Sequence, residues 1–193
     1  EDLQLNVLLE LYCHIFKGPF YHNMRTLKTL GYSPKLETQT DNFSLPLALT
    51  IQSTNTDPVD LDQEIENFLT NSQELLKEMT DVDFKKYLIT HSDSYLKKPE
   101  TLKEEFKRWW DAIFFRASDF CLKEKLHAIS VQITKETLLE FIRTFILPGA
   151  PKRRRLSVHA WPEDELSDYD DSMEAKFISD PAAFKEEHVI PFQ

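Results

Sequence analysis

Three glycines in 193 residues, Gly18, Gly31 and Gly149, are too dispersed to build a glycine-rich phosphate loop, so nucleotide binding of that kind is excluded. The two cysteines, Cys13 and Cys121, are too few for a disulfide framework. Cys13 also falls on an apolar helical stripe, where a thiol is buried and inert, so a reducing compartment and a cytoplasmic location are expected. No apolar run approaches the ~20 residues needed to cross a bilayer, and the first residues lack the charged-then-apolar-then-small order of a signal peptide. No membrane association is expected, and any targeting segment would lie outside this chain. Positive charge is also scarce. With 23 Lys and Arg against 33 Asp and Glu, the net charge of -10 argues against a nucleic-acid partner, which requires clustered cations. The one dense basic run, Lys152-Arg153-Arg154-Arg155, reads as a solvated loop between a helix and a strand.

Metal-binding motifs are missing too. None of the six histidines stands in H-x-x-E-H or H-E-x-x-H, so no catalytic zinc is expected on this chain. Glu10, Cys13 and His14 share one helix, but without further partners their clustering is better explained by packing.

What is present is a substantial core: 41% of residues are hydrophobic and 12% aromatic, enough for one domain with an appended tail. Leu5, Leu8, Leu9, Tyr12, Cys13 and Phe16 recur at three- and four-residue steps and predict a core-facing helix over Leu3 to Phe20. Gly18-Pro19 is expected to interrupt it, with a second helix through Met24, Leu27 and Leu30 that closes on Gly31. Residues 32–38 and 43–53 then read as two strands joined by Thr40-Asp41-Asn42, because Phe43, Leu45, Leu47, Leu49 and Ile51 alternate with small or polar residues. Pro34 and Pro46 lack a backbone donor and belong at a strand start, an edge or a bulge. Helices are predicted after Asp57-Pro58, after Thr80 with Asp83 as its capping box, over Thr101 to Phe115, from Ser118 to His127 and after Thr134. Phe106, Trp109, Trp110 and Ile113 have the spacing of a core face. Leu156 to Trp161 reads as a last strand. This order predicts an α+β fold with helices packed on one face of a mainly antiparallel sheet.

The segment Arg25-Thr26-Leu27-Lys28-Thr29-Leu30-Gly31-Tyr32 stands out chemically. If it is helical to residue 30, Arg25 and Tyr32 lie roughly 10 Å apart along the chain at about 1.5 Å per residue, within reach of one bound peptide. Arg25 would supply five permanent donors, and Tyr32 a hydroxyl able to support a developing oxyanion. The plainer reading is that Arg25 and Lys28 complement a helix C-terminus while Tyr32 packs at a strand edge.

With Pro19-Phe20-Tyr21-His22-Asn23-Met24 before it, the segment resembles the R-T-x-x-x-L-G-Y signature of the fourth homologous domain of insulinase-type zinc peptidases, an inverzincin family that includes insulin-degrading-enzyme-like and nardilysin-like members. The strand ending in Ile51-Gln52-Ser53, Leu96-Lys97-Lys98-Pro99 before Trp109-Trp110, and Leu156-Ser157-Val158-His159 are similar to later family segments. The resemblance implies a LuxS/MPP-like metallohydrolase fold with its N-terminal strands missing. Residues 1–161 would be a partial, non-catalytic C-terminal domain, 162–178 an acidic mobile loop, and 179–193 a short helix and tail. It implies substrate binding by Arg25 and Tyr32, with oxyanion assistance from Tyr32, while Zn2+ sits in the N-terminal catalytic domain of a parent endopeptidase. This chain would hold no cofactor and be inactive alone. Its implied partners are the remaining domains of that enzyme, a peptide substrate and a second copy of the parent in a homodimer. Thr29, Ser33-Pro34 and Phe120-Cys121-Leu122 depart from the family pattern, which leaves open a catalytically dead structural or protein-interaction module.

Overall fold

The computed structural model describes residues 2–39, 45–115 and 119–160. Glu1–His159 form one compact unit and Ala160–Gln193 another, of which only Ala160 is described. The expected turn at residues 40–42, the acidic loop over 162–178 and the terminal helix and tail over 179–193 lie outside the described residues.

Helix α1, Leu3–Tyr21, begins where the Asp2 carboxylate accepts from Gln4 N at 3.0 Å and Leu5 N at 3.4 Å, replacing partners that the first turn lacks. The predicted stripe is buried or partly buried, but so are Val7, Leu11 and Ile15 on the adjoining flank. A helix apolar over so wide an arc belongs in the middle of a fold. Accordingly, α1 packs against β1 as well as α3, α5 and α6. Phe16 and Phe20 meet the edge of Phe68 on α2, with ring centroids 6.4 and 5.0 Å apart.

Gly18-Pro19 does not break α1; the helix runs through it to Tyr21. Phe16 and Phe20 are buried on either side of the expected stop, so core packing outweighs the local break signal. Beyond Tyr21 the chain widens into a π-helical turn, His22–Leu27, closed by Lys28 N to Asn23 O at 3.0 Å and Leu30 N to Met24 O at 2.9 Å. Gly31 is not the left-handed stop either. That conformation falls to Thr29, at φ 52°. Gly31 instead permits a close backbone approach: a Cβ there would collide with the Gln52 carbonyl oxygen and lie 3.1 Å from Ile51 Cγ2.

Strands β1, Lys35–Thr38, and β2, Leu47–Thr50, pair antiparallel with Lys35 opposite Thr50 and Thr38 opposite Leu47. Each is preceded directly by a proline, where no ladder donor is needed. Helix α2, Pro58–Glu78, is capped by Asp57, whose carboxylate accepts from Val59 N at 2.7 Å. Helix α3, Asp81–Leu96, is capped by Thr80, which accepts from Asp83 N at 3.1 Å and donates to its carboxylate at 2.8 Å. Then follow α4, Leu102–Phe115, α5, Leu122–Ser130, and α6, Lys135–Phe141, which ends in a second π-helical turn, Ile142–Ile146. The described fold is thus mostly helical, with a two-stranded antiparallel sheet in place of the larger sheet expected.

Two further expectations are corrected. Residues 156–160 form no strand among the described residues; Ser157, with Arg155 just before them, is instead bound to Asp62 on α2 through its side chain. The aromatic face of α4 is not core: Phe106, Trp109, Trp110 and Ile113 remain exposed. Helical spacing reports that one face is apolar and is silent on what covers it.

Candidate functional site

The π-helical turn places Arg25 beside two aromatic rings. Its guanidinium carbon lies 4.5 Å from the ring centroid of Tyr32 and 5.2 Å from that of Tyr21. Both distances fall within the range of cation–π attraction. Arg25 is half-buried, whereas Tyr32 is 80% exposed with its phenol open to solvent. Among the described residues, Arg25 has no hydrogen bond or ion pair, so its five donors are uncommitted.

Three contacts hold the turn. Met24 is fully buried beneath it, Lys28 forms an ion pair with Glu64 on α2, and Gly31 rests against the Gln52 carbonyl at the end of β2. The Lys28 ammonium, through its hydrogen bond, holds the Glu64 carboxyl below the usual carboxylate range. Lys28 is therefore a tether to α2, and the plain helix-end reading of it is superseded. The two residues singled out in sequence, Arg25 and Tyr32, share one place on the surface. Tyr21 was missed there, although an aromatic four residues before an arginine is the spacing that stacks two side chains on a helical turn.

Glu10, through Tyr95, and His14, ring to ring, both meet His91, while Cys13 is buried. The Tyr95 hydroxyl donates to Glu10 and lies 3.0 Å from His91 Nε2; burial pushes the Cys13 thiol up to about 12; His14 meets the edge of Tyr87, centroids 5.7 Å apart. Among the described residues, no group of three or more His, Cys, Asp or Glu is arranged to hold a metal ion. Nor is any helix among them long and apolar enough to cross a membrane.

The basic run is not a solvated loop throughout. Arg153 grips Glu66 with both terminal nitrogens, and Arg155 pairs with Asp62 and Glu66. Ser157 donates to Asp62 at 2.9 Å, and His159 Nε2 lies 3.2 Å from Ser157 Oγ and 3.7 Å from Asp62. Because one imidazole nitrogen faces both hydroxyl and carboxylate, these three groups form no proton relay.

Residues 11–110 match the family model described as PQQ synthase PqqF-like, C-terminal lobe domain 4. The chain belongs to this family. It is the fourth, C-terminal homologous domain of the insulinase-type peptidases. It is 29% identical over 168 residues to insulin-degrading enzyme-like 1, peroxisomal, of Arabidopsis thaliana, covering 87% of this chain and 17% of that protein. It is 29% identical over 154 residues to human insulin-degrading enzyme, covering 80% of this chain and 15% of the relative. A nardilysin-like protein of Arabidopsis thaliana is 26% identical across 96% of this chain and 18% of its own length. The fold matches the crystal structure of pitrilysin with a TM-score of 0.67 at 20% identity, over 75% of this chain and 15% of pitrilysin. This chain thus spans between one seventh and one fifth of the length of these relatives.

Proposed function

We propose that this chain is the substrate-holding, non-catalytic C-terminal domain of a zinc metalloendopeptidase that cleaves peptides in a closed chamber, with the zinc ion carried by another domain of the same polypeptide. The LuxS/MPP-like architecture belongs to the same proposal. The observation that carries it is the pairing of an uncommitted, ring-stacked Arg25 with the exposed phenol of Tyr32. Arg25 would donate to carbonyl oxygens of an extended peptide and fix its register. Tyr32 would donate to an oxygen that gains negative charge during hydrolysis, a contact stronger in the transition state than in the bound substrate. The relatives named for insulin degradation make an insulin B chain a sensible peptide probe.

Replacing Tyr32→Phe in the full-length protein is expected to lower kcat by about 100-fold while KM stays within about threefold, as for a donor that acts mainly on the transition state. Peptidase assays comparing the two forms check this, and equal turnover removes the role. A second reading, a catalytically silent interaction module, is favoured by Ser33-Pro34 directly after the tyrosine. An H-x-x-E-H motif upstream in the same polypeptide supports the first reading, and its loss supports the second.

A further inference from the structure

Tyr21 has no role in the chemistry above, yet its ring centroid lies 5.2 Å from the Arg25 guanidinium carbon, within cation–π range alongside Tyr32 at 4.5 Å. We propose that Tyr21 is a positioning residue: a fixed aromatic plate that holds Arg25 in the orientation that presents its donors to an extended peptide backbone. This rests on the substrate-holding reading of Arg25.

The two rings are anchored differently. Tyr32 lies in a bend outside any helix or strand and is 80% exposed, whereas Tyr21, 37% exposed, is the last residue of α1, flanked by the fully buried Phe20 and followed three residues later by the fully buried Met24. Rigidity of the core is therefore delivered to Arg25 through Tyr21. A guanidinium attracts a ring through its flat face, while its five N–H groups all point outward in its own plane. Stacking on a ring therefore uses a face of the guanidinium and leaves its edges free. A long arginine side chain otherwise loses considerable rotamer freedom when it grips a ligand, and preorganisation removes part of that loss before the peptide arrives. The plate also leaves Tyr32 with one of the two stacking roles, so the phenol can turn its hydroxyl toward the peptide without releasing the guanidinium.

The test separates the ring from the hydroxyl and positioning from direct contact. In the 193-residue chain, the Arg25 Nε–Hε resonance, assigned by its loss in Arg25→Lys, reports ring stacking without any ligand. Tyr21→Leu is expected to shift it and to speed its exchange with water about threefold or more, with Tyr21→Phe matching the wild type and Tyr21→Trp slowing exchange, following the order of cation–π strength. In the full-length protein, Tyr21→Leu is expected to weaken binding of fluorescein-labelled insulin B chain by about fivefold, the scale of one cation–π contact, with kcat within twofold and Tyr21→Phe fully competent. In an Arg25→Gln background, Tyr21→Leu should have no further effect on that affinity.

An unmoved resonance in Tyr21→Leu overturns the proposal, as does an affinity loss that persists in the Arg25→Gln background, since Tyr21 would then touch the peptide itself. If the resonance moves as expected but Arg25→Gln binds the peptide as well as wild type does, the plate stands and the substrate-holding reading falls. Should Tyr21→Leu fail to fold, the Phe and Trp variants decide alone: equal exchange rates in both would overturn the proposal.

Discussion

At the residue scale, two neighbours in the turn after α1 have exchanged the roles that their chemistry advertises. Thr29, β-branched, sits at φ 52°, a region that L-residues enter at a cost of about 1–2 kcal/mol, while Gly31 spends its missing side chain on proximity to the Gln52 carbonyl. Thr29→Gly is therefore expected to stabilise the fold by about 0.5 kcal/mol, the relief of strain being offset in part by the greater freedom of glycine when unfolded. Gly31→Ala should destabilise it by about 2 kcal/mol, because backbone and not a flexible side chain stands in the way. Urea unfolding of the two variants measures both, and loss of stability in Thr29→Gly would mean that the turn is unstrained. The glycine was visible in the sequence as a special position, but a requirement for positive φ and one for close approach leave the same letter. Arg25 and Tyr32 were legible because arginine and tyrosine beside a turn are chemically conspicuous. Tyr21 was not, because its partner lies a widened turn away and an aromatic at a helix end is ordinarily packing.

At the scale of elements, helix α2 holds residues 153–159 by alternate side chains, so the period of a strand appears without a sheet. Arg153 and Glu66 are only 15% and 13% exposed in their side chains. Removing one partner of such a pair leaves a charge without compensation, so Glu66→Ala is expected to cost about 3 kcal/mol. Lys86→Ala, which breaks a pair with Asp83 at 70% and 50% exposure, should leave stability nearly unchanged. Chemical denaturation that ranks the two equally would show that Arg153 finds another anion. The alternation of residues 155–159 could not reveal this arrangement, since period two records that two faces differ and does not record whether a strand or a helix lies beside them. Helix caps were legible for the opposite reason. Asp57 and Thr80 act through hydrogen bonds within three residues of themselves, so everything that defines them is local in sequence.

At the scale of the whole described unit, α1 is the organising element, because β1 and three helices pack around it. Its centrality was only half legible: the stripe announced one buried flank, and the second became evident when the flank of Val7, Leu11 and Ile15 met further helices. The interface between α1 and α3 also contains the most perturbed histidine. Burial, with a smaller contribution from the charge of His14, pushes His91 down to about 4 from an ordinary 6.5. The groups facing it are Tyr95, whose hydroxyl is shared with Glu10, and His14, whose ring lies 5.7 Å away and is itself held below its usual range by burial. Between pH 6.5 and 4, the unfolded chain binds a proton at residue 91 that the folded chain refuses. Stability from this site is therefore complete above pH 6.5 and declines as pH falls to 4, by about 3 kcal/mol over the window. His14 acts in the same direction, and the paired carboxylates with lowered pKa, such as Glu64 and Asp83, add their losses at more acidic pH. Unfolding free energies measured from pH 7 to 4 should fall steeply in wild type and more gently in His91→Gln, which keeps a polar side chain but binds no proton. Parallel curves for the two would show that His91 titrates normally and that the α1–α3 interface admits water.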